Sequence, residues 1–313
     1  MEHTEIVTAA ELEDYANRLG SESVIPELIW LLVNASTTDL AVCRIPYGDK
    51  INQPGWDGLV EAGTGFRQYM PTGKSYWEIG TGINPQKKAT ADFGKRTKKM
   101  ADVDRVDATY VFVTPRGAGS GGWSEPSQTN WKKRRANSGW RTIHILDAHQ
   151  VADWLREFPA LGRWLLKKMG LVKTGTGLST PAEHWENLQA LKLGNDPSLP
   201  PQVFLVGRDD AREQLHRLFR GEIKQLLLAI ESAQDAEDFI AAFLESLDGE
   251  TQRTYGTRCL FINDADAWQT FASLRKSHVL VANPAPKVKK RFQRRRENAS
   301  PYEPYLRAKT RLQ

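Results

Sequence analysis

Pro54-Gly55-Trp56-Asp57-Gly58 and Tyr76-Trp77-Glu78-Ile79-Gly80 decide how the first half of this chain is read. Trp56–Ala62 and Ser75–Gly80 alternate like paired β-strands, with Pro71-Thr72-Gly73 between them as a turn signal. Asp57 therefore stands at the entry of one strand and Glu78, 21 residues on, lies on its neighbour. Alone, a Trp-Asp-Gly reads as a turn with an Asx hydrogen bond, and a strand glutamate as a charge that guards a sheet edge. Together they form a pair of hard oxygen ligands. Hydrolysis of a phosphodiester at neutral pH needs a nucleophilic water and neutralisation of phosphate charge, and Mg²⁺ or Mn²⁺ held by carboxylates supplies both. Glu27, in a helical stretch nearer the N-terminus, is the candidate third ligand.

Outward from this pair, Ala9–Asn34 carries apolar residues at helical spacing, interrupted at Gly20, which predicts two helices with Pro26 in the first turn of the second. Leu40–Pro46 reads as a strand, Thr90–Ala101 as a helix with a basic side, Gly117–Gly122 as a glycine-rich loop and Arg141–Leu146 as a strand. Ala108–Thr114 is an almost unbroken apolar run, expected of a strand covered on both faces. Ala148–Met169 is helical with a break near Pro159. The order predicts an α/β domain over residues 1–172, a mixed central sheet flanked by helices.

Residues 173–202, rich in Gly, Thr and Pro around one short amphipathic piece, read as a linker. From Val203 a second α/β pattern begins: strand VFLVG, helix DDAREQLHRLF, strand QLLLAI, helix AEDFIAAFLESL, strand RCLFIN, then a further helix and strand. Hydrophobic content of 40% with 26% charged residues is that of a globular chain rather than a disordered one. No apolar run reaches the roughly 18–20 residues of a membrane span, and the N-terminus lacks the basic-then-apolar order of a secretory signal. Cys43 and Cys259 sit far apart in apolar segments and read as core residues, so a cytoplasmic protein is expected. The net charge of +5 argues little by itself. Its distribution says more: cations cluster at Lys95, Arg96, Lys98 and Lys99, at Lys132, Lys133, Arg134 and Arg135, and at Lys287–Arg296. The first two clusters flank the carboxylate pair and are candidate phosphate-backbone contacts, positioning rather than reading sequence.

The helix with Glu27, the Asp57 strand and the Glu78 strand, followed by helix and strand, resemble the PD-(D/E)XK, or restriction-endonuclease-like, superfamily. The resemblance implies a Mg²⁺-dependent nuclease, with nucleic acid, first of all double-stranded DNA, as partner. It departs at one position: the lysine expected two residues after Glu78 is Gly80. Lys87 and Lys88, just after Pro85, are the candidates to take that role; if neither does, the domain binds nucleic acid without cutting. The strings WEIGTGINPQKKATADFGKR and DAHQVADWLREFPALGRWLLKKMG are similar to the N-terminal nuclease segments of bacterial antiviral STAND-type NTPases. That likeness implies an antiphage effector that works as a homo-oligomer and answers to a phage-derived activator.

The second pattern resembles a STAND P-loop module at Leu205-Val206-Gly207-Arg208-Asp209, where such an arginine lies near the nucleotide. After the next strand, however, Ala229-Ile230-Glu231-Ser232-Ala233-Gln234-Asp235-Ala236 has neither the glycines nor the lysine of a phosphate loop. ATP is therefore not expected there, and the module is expected as a degenerate one. Asn263-Asp264-Ala265-Asp266 reads equally as a Walker B position and as a strand-to-helix turn with an Asp cap.

Overall fold

The computed structural model describes residues 7–48, 55–117, 123–172, 177–191, 198–230, 232–264, 267–268, 271, 279–282 and 305–310. Pro54, the glycines after Gly117, Glu231, Asp266 and the basic run 287–296 lie outside them. The chain divides into two compact units, Ile6–Arg156 and one that runs from Glu157.

The first unit opens with α1 (Ala9–Ala16), started by a capping box in which Thr8 and Glu11 satisfy each other's backbone N–H groups. Helix α2 (Ser21–Ser36) follows Gly20, whose φ of +87° suits glycine. The break expected at Gly20 is there, but the helix begins at Ser21, which puts Pro26 inside it rather than in its first turn. Three strands come next: β1 (Leu40–Arg44), β2 (Gly58–Ala62) and β3 (Gly73–Ile79). Then come α3 (Pro85–Lys99), α4 (Asp102–Arg105), β4 (Thr109–Val113), α5 (Glu125–Lys133), β5 (Thr142–Leu146) and α6 (Ala148–Leu155). Proline at N1 lets α3 start at residue 85, a turn earlier than the apolar pattern suggests.

The five strands form one sheet in the order β1-β2-β3-β4-β5. β1, β2 and β3 pair antiparallel, and β3, β4 and β5 pair parallel through the crossovers that contain α3 and α5. The mixed α/β sheet flanked by helices is thus the architecture of this unit. β4 is buried at all five positions, as its unbroken apolar run predicts. Alternation along β3 divides its side chains between the two faces. Trp77 packs toward Trp154 of α6, with ring centroids 6.4 Å apart. Tyr76 faces the other way, into an aromatic cluster with Phe93, Tyr110, Trp131 and Trp140. Glu78 follows Tyr76 on that face.

The second unit contains α7 (Pro159–Met169), β6 (Leu178–Ser179), α8 (Pro181–Ala190), α9 (Gln202–Leu205), α10 (Asp209–Phe219), β7 (Gln225–Ala229), α11 (Ala233–Glu245), α12 (Gly249–Gly256), β8 (Cys259–Ile262), β9 (Val279–Ala282) and β10 (Tyr305–Thr310). Several expectations are corrected here. The division falls near residue 156 rather than 172, because Ala160 of α7 packs with Leu178, Leu260 and Ile262. The segment 173–202 is not a bare linker: α8 is bound to α7 by the Arg163–Glu183 ion pair at 2.7 Å and buries Trp185 among α10 and α11 residues. The stretch VFLVG is no strand: Pro201 caps α9, and Leu205 is buried beside α8 and α11 residues. The sheet order is β6-β8-β9-β10-β7; β8 and β9 are parallel, while β10 runs antiparallel to both β9 and β7. Among the described residues no helix is long and apolar enough to cross a membrane.

Candidate active site

The antiparallel register of β2 and β3 begins at Gly58 opposite Trp77, so Asp57 and Glu78 face each other one step beyond it. Asp57 is fastened there: its Oδ2 accepts the backbone N–H of Ile79 at 2.9 Å. Glu78 is buried, with 1% of its surface exposed. Its Oε1 accepts from Arg96 Nε on α3, and the same guanidinium donates to the carbonyl of Gly55 and lies 5.1 Å over the Trp56 ring. Burial is the largest influence on the Glu78 carboxyl; the Arg96 hydrogen bond opposes it and the Asp57 charge reinforces it, and the net result is a pKa pushed up to about 7. An acid held this way is one that a cation would stabilise.

Helix α3 supplies the rest of the site. Residues 88, 92 and 96 recur every fourth position and share a face. Lys88 Nζ lies 3.0 Å from Asp92 Oδ2, a buried oxygen for which it is the nearby cation. A Cβ built at Gly80 would meet Lys88 Cγ and the Phe112 ring, each at 3.1 Å. The stem of Lys88 therefore fills the space beside Gly80 that a side chain there would use. Burial works against the Lys88 charge, but Asp92, then Asp57 and Glu78, outweigh it and hold the ammonium above its ordinary value. Tyr110, fully buried on β4, has a hydroxyl with no hydrogen-bond partner among the described residues; burial first and the Glu78 charge next push its pKa up.

Of the residues expected from the sequence, the structure brings together Asp57, Glu78, Lys88 and Arg96. Lys87 is exposed on another face of α3. Glu27 is half-buried on α2, where its charge acts on Tyr15; the third carboxylate whose charge reaches Glu78 is Asp92. Arg96 was expected on a phosphate backbone and instead clamps Glu78, whereas Lys95, Lys98 and Lys99 are exposed on α3. Asp92 and Tyr110 were missed. The fourfold spacing of Lys88, Asp92 and Arg96 was the available signal for Asp92; nothing in an apolar strand marks Tyr110.

The residues fit a divalent cation in one respect: Glu78 is buried within reach of the charges of Asp57 and Asp92, while Asp92 Oδ2 is already paired with Lys88. Among the described residues no three His, Cys, Asp or Glu side chains are grouped to hold a metal. Two carboxylates suffice for Mg²⁺, which keeps several waters and takes substrate phosphate oxygens. A metal on Glu78 would have to displace Arg96.

The second cationic cluster is corrected in part. Lys132 and Lys133 end α5, and Arg135 stacks on Trp131, its guanidinium carbon 3.8 Å from the ring centroid. Arg135→Ala is expected to lower stability by about 1–2 kcal/mol through this lost contact. Lys133→Ala and Arg134→Ala, at exposed positions, should leave stability alone. Each should instead flatten the slope of log K against log salt for duplex DNA by about 0.9. Thermal melts and salt-titrated binding read the two effects separately, and a changed slope without a changed melt for Arg135→Ala would reverse the assignment.

In the second unit, Ser232 caps α11 by accepting the N–H of Asp235 at 3.0 Å, so the helix start after β7 is closed by its own side chain. Asp264 accepts the N–H of Ala267 at 2.8 Å, as the cap reading predicts. Arg208 lies 5.3 Å over the Phe239 ring. No family model matches this chain, and no curated protein or solved structure is significantly similar to it.

Proposed function

We propose that residues 6–156 are a metal-dependent phosphodiesterase acting on nucleic acid, with a PD-(D/E)XK-type constellation whose lysine comes from α3. The observation that carries this reading is Lys88: its stem lies against Gly80, and its ammonium is coupled to Asp57 and Glu78. Asp57 and Glu78 would hold Mg²⁺ or Mn²⁺, which when bound supplies an activated water and a counter-charge for the phosphate. Lys88 places a positive charge where negative charge develops on the scissile phosphate. Asp92 orients Lys88 through the 3.0 Å ion pair. Exposed Lys95 and Lys99 fix the strand by its phosphates.

Double-stranded DNA is the first substrate to try. The resemblance to antiviral STAND proteins extends the proposal to an antiphage effector governed by homo-oligomerisation and a phage-derived activator, with the second unit as a degenerate P-loop-like module. A second reading, a nucleic-acid-binding module that does not cut, is favoured by the Arg96 clamp on Glu78. Incubation of the full chain with duplex DNA, single-stranded DNA and RNA in Mg²⁺, Mn²⁺ and EDTA decides between them. Cleavage is expected with the metals only, and Asp57→Ala is expected to abolish it while the melting curve stays cooperative. Binding without cleavage under every metal condition favours the second reading.

A further inference from the structure

Beside the carboxylate pair, a cleft of about 650 Å³ opens between the Trp56–Tyr76 aromatic pair and α3. Lys95, Arg96 and Lys99 line it from the helix, and Asp104 lines it as well. With Arg96 paired to Glu78, two lysines against Asp104 still leave it positive. Lys95 and Lys99 stand one helical turn apart, are exposed, and form no ion pair among the described residues. Trp56 and Tyr76 are half-buried, with ring centroids 4.9 Å apart and planes tilted by 44°; Arg96 lies 5.1 Å over the first ring and Lys74 5.4 Å over the second, cations that an entering base would displace or stack beside. Trp140 packs edge-on against both, at 5.9 and 6.0 Å, so the platform is fixed from behind. The cleft joins the candidate active site through Arg96, whose guanidinium donates both to Glu78 and to the carbonyl of Gly55.

Aromatic faces beside a row of lysines are what an unpaired nucleotide needs, since a base stacks on a ring only when its own face is free. Bases inside a duplex offer no such face unless they are extruded. We propose that this cleft takes one unpaired nucleotide of the substrate strand, its base on the Trp56–Tyr76 platform and its phosphates on Lys95 and Lys99. The inference rests on the reading of the substrate as nucleic acid and adds that the strand is single or locally opened where it meets the site.

The test is binding by the full chain in EDTA, where cleavage plays no part. The probes are a fluorescein-labelled oligothymidylate, an abasic chain of equal length and a blunt duplex. The oligothymidylate is expected to bind roughly tenfold more tightly than the abasic chain, the equivalent of one base stacked on an aromatic ring, and more tightly than the duplex. Lys95→Glu and Lys99→Glu should weaken both single strands, while Lys98→Glu, on the same helix outside the cleft lining, should weaken them less. Tyr76→Leu should erase the preference for the base; the lysine series keeps the test valid if that variant does not fold. Equal affinity for the abasic chain, preference for the duplex, or an equal effect of Lys98→Glu overturns the proposal. A base preference found in a chain that never cleaves overturns the phosphodiesterase reading and leaves the cleft assignment standing.

Discussion

Glu78→Gln is expected to abolish metal-dependent cleavage and, above neutral pH, to make the fold more stable. The Glu78 carboxyl is buried beside Asp57 and Asp92, and its pKa rises from 4.5 to about 7. A raised carboxyl pKa means that the folded state holds the proton more tightly than the unfolded chain. The contribution is fully present below 4.5, declines as pH rises, and is gone above about 7. The span corresponds to about 3 kcal/mol at most, and the amide of Gln keeps an oxygen for Arg96. Above neutral pH the variant should therefore be about 1–3 kcal/mol more stable than the parent, with a flatter dependence of stability on pH. Cleavage should fall at least ~100-fold, since even an outer-shell partner of a metal costs 10–100-fold. Denaturant unfolding on either side of neutrality and a plasmid assay read both quantities on one preparation. A Glu78 that is only a buried partner of Arg96 would give the stability gain with cleavage unchanged, and a variant that is both less stable and fully active sinks the site.

The sheet that positions this residue was readable from pattern because period-2 alternation and the buried run at β4 are strong signals. Turn chemistry at Gly20 and proline at N1 of α3 fixed further boundaries. What the pattern missed has physical causes. The helix α5 is polar on most positions, with only Gln128 and Trp131 buried, so its apolar stripe is too thin to see. The helix α9 carries four residues whose sequence, QVFL, favours a strand, and tertiary burial of Leu205 after Pro201 overrides it. The candidate site was legible as far as residue types go: a strand pair brought Asp57 and Glu78 together, as expected. The role of Arg96 was not, because a cation in a basic run looks like solvated surface until a buried carboxylate is found within its reach. For Glu27, helical spacing places a residue on a face, and packing decides which neighbour that face meets; its charge acts on Tyr15.

Lys88→Ala is expected to lower the cleavage rate by roughly 10²–10⁴, the usual range for a positioned charge or proton donor, whereas Lys87→Ala leaves it unchanged. The two lysines are adjacent in sequence and differ only in the face of α3 they occupy, so the comparison controls for net charge. The Lys88–Asp92 pair is half open to solvent, with 48% of the lysine side chain exposed. Because Asp92 Oδ2 is buried, losing the pair should cost on the order of 1–2 kcal/mol of stability, so a thermal melt of the variant is run beside the rate to show that the chain is folded under the assay conditions. Gly80→Lys supplies the lysine at the position where PD-(D/E)XK members carry it. In the parent, its Cβ meets Lys88 Cγ and the Phe112 ring at 3.1 Å, closer than ordinary contact. In the Lys88→Ala background one of those two neighbours is gone. The double variant should recover at least tenfold of the lost rate, short of the parent because Phe112 still crowds the new stem. Single-turnover rates in Mg²⁺ measure each step. Full activity in Lys88→Ala, or loss of activity in Lys87→Ala instead, would show that the ammonium of residue 88 does not replace the one that Gly80 lacks.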